Sequence, residues 1–428
     1  MWSFETDPDF ARELDWMRAF LDEMVLPLEV AGLSEAELGA AMVPLQQQVK
    51  ERGLWAAHLD PELGGQGFGQ VRLGLMHEII GRSRLAPQVF GNQAPDSGNS
   101  EILARHATPE QRERWLMPLL AGEIRSAYVM TEPQAGADPT LLTTSAVQDA
   151  DTWVLNGEKW FITNASIADF FIVMAVSDPD AAPHARASQF IVPRGTPGFE
   201  VVREIGTIED PEPEWGRVDN HAEVRLVDVR VPGDSMLGPR GRGFAIAQER
   251  LGPGRIHHCM RWIGQASRAL DMLCERALYR FSHGSMLSEK QTIQNWIADS
   301  WTDLHATRLM TLHAAWKIDT LGVAAARTEI SAIKFWGARM LHDVIDRSIQ
   351  IHGALGYSSD LPLESMYRYA RAARIYDGPD EVHRVVVARQ VLKKYQAPPD
   401  GVPTEHVPTR RAARAAAEHD NGVVSRAG

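Results

Sequence analysis

The hydrophobic period of this chain changes twice, and those two changes limit its fold more than any other feature. From Pro8 to Glu29 apolar residues recur at helical spacing, as Phe10, Leu14, Met17, Leu21 and Met24. Asp9 is the expected cap of this first helix. Ser34 to Arg52 continues the pattern, with Ser34 and Glu37 placed as a capping box. After a glycine-rich break at Pro61–Gly67 the helical period returns over Gln70–Ser83 and Ser97–His106. Thr108 then caps a short helix opened by Pro109 and closed by Gly122. From Arg125 to Leu237 the pattern becomes short apolar or β-branched runs: Ala127–Met130, Thr152–Leu155, Trp160–Ile162, Phe170–Val176, Ser188–Val192 and Glu223–Leu226. Asn156-Gly157, between Val154 and Trp160, predicts a hairpin turn, and the polar, proline-rich stretch Glu209–Asn220 predicts a loop. Helical spacing resumes from Gly243, over Arg255–Tyr279, Glu289–Asp319, Gly322–His352 and Asp380–Tyr395.

These patterns predict an α+β chain: an N-terminal helical domain over 1–124, a β barrel or sandwich over 125–238, and a helical bundle over 239–396. The tail, 397–428, is rich in Pro, Ala and Arg and is expected to be disordered or loosely held. A β layer set between helical layers creates an interface where ligand clefts tend to lie. Composition narrows the function. A 44% hydrophobic content excludes general disorder, and a net charge of −12 disfavours binding to a nucleic-acid backbone. No apolar run is long enough for a membrane span. The start, MWSFETDPDF, is acidic and unlike a signal peptide. Two cysteines, Cys259 and Cys274, suit a reducing, cytoplasmic setting. Neighbouring histidines on a helix point about 100° apart, so His257 and His258 do not form a chelating pair, and no metal is expected.

Four stretches carry a family resemblance: Tyr128-Val-Met-Thr-Glu-Pro-Gln-Ala-Gly-Ala-Asp138, Asn156-Gly-Glu-Lys-Trp-Phe-Ile-Thr-Asn-Ala165, Leu251-Gly-Pro-Gly-Arg-Ile-His-His-Cys-Met-Arg261 and Ile375-Tyr-Asp-Gly-Pro-Asp-Glu-Val-His383. In this order and at this spacing they resemble the acyl-CoA dehydrogenase family over residues 10 to 395. The likeness is greatest to the branch whose animal members carry an upstream phosphotransferase-like domain. The resemblance implies an N-terminal helical domain, a middle β barrel and a C-terminal four-helix bundle. It also implies noncovalent FAD, an acyl-CoA substrate of medium to long chain, electron-transfer flavoprotein as acceptor, and a homodimer or homotetramer.

By the same resemblance Asp377 stands at the position of the catalytic base, usually a glutamate one methylene longer. Its N–H, with a ribityl hydroxyl, forms the family's oxyanion hole. A second base position known in the family, on the C-terminal domain, is Gly254 here, which cannot take a proton. Tyr128, Met130, Thr131, Ala137, Trp160 and Thr163 are expected around the flavin. Arg280, Gln291, Gln350 and Gly353 are expected on its pyrophosphate and adenine side, partly from a neighbouring subunit, with Gly378, Pro379 and Glu381 beside the base. Ala137, Phe244, Arg255, Asp377 and Gly378 are the expected substrate contacts, Arg255 supporting the nucleotide end. The aspartate also admits a nitroalkane-oxidase-like enzyme. The same fold further admits an acyl-CoA-oxidase-like enzyme and a noncatalytic, flavin-retaining binding protein.

Overall fold

Helical ends flanking a β-rich middle lead to the observed order of elements. A computed structural model describes residues 5–63, 65–398 and 401–424; Met1–Phe4 of the acidic start and Gly64 of the glycine-rich break lie outside the described residues. The N-terminal helices are α1 (Pro8–Phe20), α2 (Glu35–Glu51), α3 (Gln70–Ile80), the single turn α4 (Ala86–Val89), α5 (Asp96–His106) and the short pair α6 (Pro109–Gln111) and α7 (Met117–Ala121). The cap of α1 is Asp7 and not Asp9, because the Asp7 carboxylate accepts from the N–H groups of Asp9 and Phe10. The capping box Ser34–Glu37 is present on α2, and Thr108 forms a second one with Gln111. α3 has no cap of its own. Asp319, 249 residues away from Gln70, accepts from the N–H groups of Gln70 and Val71 at 2.6 and 3.0 Å.

The middle of the chain is an open sheet and not the expected closed barrel. Its strands are β1 (Ser126–Val129), β2 (Ser145–Asp149), β3 (Thr152–Thr163), β4 (Phe170–Val176), β5 (Ala187–Pro193), β6 (Phe199–Ile205), β7 (His221–Pro232) and β8 (Met236–Leu237). The hydrogen-bonded order is β6-β7-β3-β2-β4-β5-β8, with β1 beside β4, so β6 and β8 end the path unjoined. Closure would need those ends to pair, and β8 supplies only two residues. The sheet instead folds its two halves face to face over one core. Phe171 on β4 stacks on Phe199 on β6 at 4.1 Å, and Trp153 on β3 meets Phe190 on β5 at 5.3 Å. Nor is Asn156-Gly157 a hairpin turn. It lies inside β3, where the register to β7 shifts between Leu155 and Gly157, because the residues on both sides of it pair with β7. The actual turn is Ala150-Asp151, between β2 and β3.

The last long helices are α8 (Gly243–Tyr279), α9 (Gln291–Leu321), α10 (Arg327–His352), the turn α11 (Ala354–Tyr357), α12 (Leu363–Ala372) and α13 (Asp380–Leu392). Between α8 and α9 a small hairpin pairs β9 (Phe281–Ser282) with β10 (Ser285–Met286). α8, α9, α10 and α12 share one apolar core that includes Ile256, Trp262, Ala314, Ile333, Leu341 and Met366. α3 and α8 cross at backbone distance. A Cβ on Gly264 would lie 2.0 Å from the Glu78 carbonyl oxygen, and one on Gly81 would lie 2.2 Å from that of Arg261. Glycine at both positions therefore lets α3 press against the segment of α8 that carries His257, His258 and Arg261. Residues from Val385 onward form a separate unit. It includes α14 (Val407–Val424), within the segment expected to be disordered. Among the described residues no helix is long and apolar enough to cross a membrane.

Candidate active site

The loop between α12 and α13 holds Asp377 at φ +55°, a left-handed conformation uncommon for a residue with a side chain. Three side chains explain how that conformation is held. Arg255 on α8 places Nε and Nη2 on the Asp377 carbonyl oxygen at 3.1 and 3.0 Å. His383 places Nε2 on the same oxygen at 3.1 Å. Lys334, fully buried on α10, donates to the carbonyls of Ala373 at 2.7 Å and Gly378 at 3.4 Å. Its ammonium also stands 5.2 Å from the Trp262 ring and 5.1 Å from the Tyr376 ring. Burial lowers its pKa to about 8, against the pull of the Asp377 charge. Two cations thus grip the loop by its carbonyls.

The Asp377 side chain is one-fifth exposed, and its Oδ2 lies 3.2 Å from His258 Nε2. Burial alone would raise its pKa. The His258 hydrogen bond and the charges of Arg255 and Lys334 outweigh that and hold the carboxyl well below its usual range. Asp377 is therefore an ionised, oriented carboxylate. Its backbone N–H has no protein acceptor among the described residues. Tyr376, next to it, accepts a hydrogen bond from the Trp262 indole at 2.9 Å.

A second group forms where the first two motifs meet. Trp160 N–H donates to the Thr131 carbonyl at 3.1 Å. Beneath them lies a buried ion pair with both side chains fully inaccessible, Lys159 Nζ on Glu132 Oε1 at 2.9 Å. Lys159 also donates to the carbonyls of Met130 at 2.9 Å and Met174 at 2.7 Å. Glu132 accepts from the N–H groups of Thr143 and Thr144 at 2.8 and 3.0 Å. Burial would raise the Glu132 pKa, but Lys159 and these threonines hold it low. After Trp160 the chain turns sharply, with Phe161 at φ +51° and Asn164 at φ +61°. Thr163 Oγ1 lies 3.0 Å from His221 Nδ1, and Asn164 Nδ2 is buried with no acceptor. An unused buried donor four residues after a half-buried indole fits a planar group with hydrogen-bond acceptors, such as an isoalloxazine.

The remaining expected contacts are more widely spread. The Tyr128 hydroxyl accepts from Gln189 at 2.8 Å, under Arg250, whose guanidinium stands 4.3 Å from the ring. Met130 and Thr131 are half-buried and Ala137 is exposed. Phe244 stacks on His184 at 4.4 Å. Gly378 and Pro379 follow Asp377 directly, and Glu381 is exposed in the first turn of α13. Arg280, Gln291, Gln350 and Gly353 are exposed on the helical part of this protomer. Arg255, on α8, contacts the Asp377 loop itself. Lys334 escapes a reading of the sequence, although a lone lysine among Ile333, Gly337 and Met340 on an apolar helix face is its available signal. His383 ends the fourth motif, but nothing in its spacing points at a carbonyl.

Models of the acyl-CoA dehydrogenase N-terminal, middle and C-terminal domains match residues 12–123, 127–211 and 241–392. The chain is 43% identical to the Mycobacterium tuberculosis protein "Probable acyl-CoA dehydrogenase FadE2" over 354 residues, 82% of this chain and 85% of that protein. It is 41% identical to mouse "Acyl-CoA dehydrogenase family member 10" over 87% of this chain, but spans only 36% of that relative's length. A solved Mycobacterium abscessus structure, also an acyl-CoA dehydrogenase by name, aligns with a TM-score of 0.86 and 41% identity, covering 92% of this chain and 100% of that one.

Proposed function

Because the chain belongs to the acyl-CoA dehydrogenase family, we propose that it removes hydrogens from Cα and Cβ of a medium- to long-chain acyl-CoA. The product is the trans-2-enoyl-CoA. The observation that carries this reading is the ionised Asp377 carboxylate, fixed on a left-handed corner by Arg255, His383 and Lys334. A carboxylate held this way takes the Cα proton, and the Cα–H electron pair moves toward the thioester carbonyl. The Asp377 N–H is a donor for the carbonyl oxygen as negative charge develops there. Trp160, Thr131, Thr163 and Asn164 would hold FAD, which when bound would supply the acceptor for the hydride from Cβ. Arg280, Gln291, Gln350 and Gly353 serve its distal half in a homodimer or homotetramer. Electron-transfer flavoprotein then takes the electrons.

Anaerobic mixing of the yellow protein with acyl-CoAs of graded length tests this. Loss of flavin absorbance with one length class, and enoyl-CoA as product, is expected. Asp377→Asn should abolish the bleaching while acyl-CoA binding persists. Retention of FAD with no bleaching by any saturated acyl-CoA would overturn the reading and direct assays to nitroalkanes.

A further inference from the structure

One side chain touching Asp377 has no part in the reaction as described. His258 and Arg261 are three residues apart on α8 and share a face. Arg261 Nη2 lies 3.0 Å from His258 Nδ1, and Arg261 Nη1 donates to the Asn92 carbonyl at 3.1 Å. A guanidinium only donates, so Nδ1 must be the acceptor. The neutral ring then carries its proton on Nε2, the nitrogen 3.2 Å from Asp377 Oδ2. The ring also packs in a cluster with Tyr376, at 5.0 Å, and Trp262, at 6.3 Å. A contact chain thus runs from the loop after α4, through α8, to the base.

We propose that His258 is a positioning residue for Asp377. Locked by Arg261 as the Nε2–H tautomer, it takes Oδ2 and leaves Oδ1 as the oxygen that meets the Cα proton. An aspartate has one methylene fewer than glutamate with which to adjust, so its aim depends on the orientation of a single carboxylate. One donor on one oxygen sets that orientation. Among the described residues, the other charged and titratable groups around the pair include Arg255 and His257 on α8, His77 on α3, Lys334 on α10, Tyr376 on the loop of Asp377, with Tyr369 of α12 behind it, and His383 on α13. Burial first, then the Arg261 charge, lowers the His258 pKa against the opposing pull of Asp377. The imidazole therefore takes up a proton less readily than a free histidine.

The inference rests on Asp377 being the base, and its test separates the two. Nitrogen NMR of histidine-labelled protein, with and without FAD, reads the ring directly; His258→Gln assigns the signal by its loss. A neutral Nε2–H ring that does not titrate between about pH 5.5 and 8 is expected, and Arg261→Met should free Nδ1 and let the ring titrate. In flavin reduction, His258→Leu should slow the step about 10- to 100-fold while acyl-CoA affinity changes less than about threefold. His258→Gln, whose amide can still donate, should recover most of the lost rate. A ring titrating near about 6.5 in the unaltered protein, or an Nδ1–H tautomer, would overturn the proposal even if His258→Leu fails to fold. A His258→Leu protein with unaltered rate would overturn it too. If Asp377→Asn also keeps its rate, the base assignment falls instead.

Discussion

Replacing Lys159 with methionine tests whether the buried pair beneath the Trp160 group anchors the two motifs. The side chains are similar in length, so the substitution removes the charge and three hydrogen bonds while leaving little cavity. Glu132 would keep the Thr143 and Thr144 N–H donors, the Thr143 hydroxyl and Gln134. It would lose the only cation paired with it among the described residues, and the Met130 and Met174 carbonyls would lose the buried donor. Breaking a fully buried pair on one side costs about 3–5 kcal/mol. At about 2–4 °C per kcal/mol, the melting temperature should fall by roughly 6–20 °C. Thermal unfolding with and without FAD reads this. The double variant Lys159→Met/Glu132→Leu leaves no unpaired charge and should recover part of the loss, so the two changes will not add. A single-variant loss below about 1 kcal/mol would refute the reasoning, since the pair would then be contributing no more than a surface ion pair.

Arg255→Met should slow flavin reduction about tenfold or more, with acyl-CoA affinity nearly unchanged, because it frees the carbonyl of Asp377, the proposed base. Weakened CoA binding with an unchanged rate would instead support the nucleotide-end role that the sequence suggests. Gly264→Ala brings a Cβ 2.0 Å from the Glu78 backbone oxygen, so α3 and α8 must separate. Denaturant titration should show about 2–3 kcal/mol lost, and a neutral result would mean the crossing is not this close. Burial raises Glu101 to about 7 in spite of Arg105. The folded chain therefore holds this proton above the pH at which the unfolded chain releases it. The stability it contributes is full below about pH 4.5 and is lost as pH rises to about 7, an effect of about 2–3 kcal/mol. Glu101→Gln should flatten that slope in unfolding curves measured across the window.

Sequence showed the fold wherever the signal was local. The Ser34–Glu37 box, the Thr108 cap and the long helical periods needed no tertiary contact to be read. It failed where distant partners decide. Asn156-Gly157 reads as a turn until β7 pairs with the residues on both sides of it. Strand β6 was missed because its charges, Glu200, Arg203 and Glu204, interrupt the apolar run at a sheet edge. The motifs single out Asp377 and Trp160, but not what holds them. His258, Arg255 and Lys334 reach the Asp377 loop across 119, 122 and 44 residues of chain. No spacing rule spans such separations, whereas the α3–α8 glycine crossing and the buried face of α10 bring them together.

The unjoined sheet leaves β6 with one row of backbone donors and acceptors that no strand among the described residues covers. Such a rim invites a second chain to add itself as the next strand. Glu200 and Arg203 are exposed along it, with Arg203 held to Glu223 on β7 at 2.9 Å. A like chain approaching this rim must desolvate charges before it can form its first ladder bond. The same residues that hid β6 from its apolar pattern thus act as a guard, keeping an incomplete β layer from templating its own aggregation.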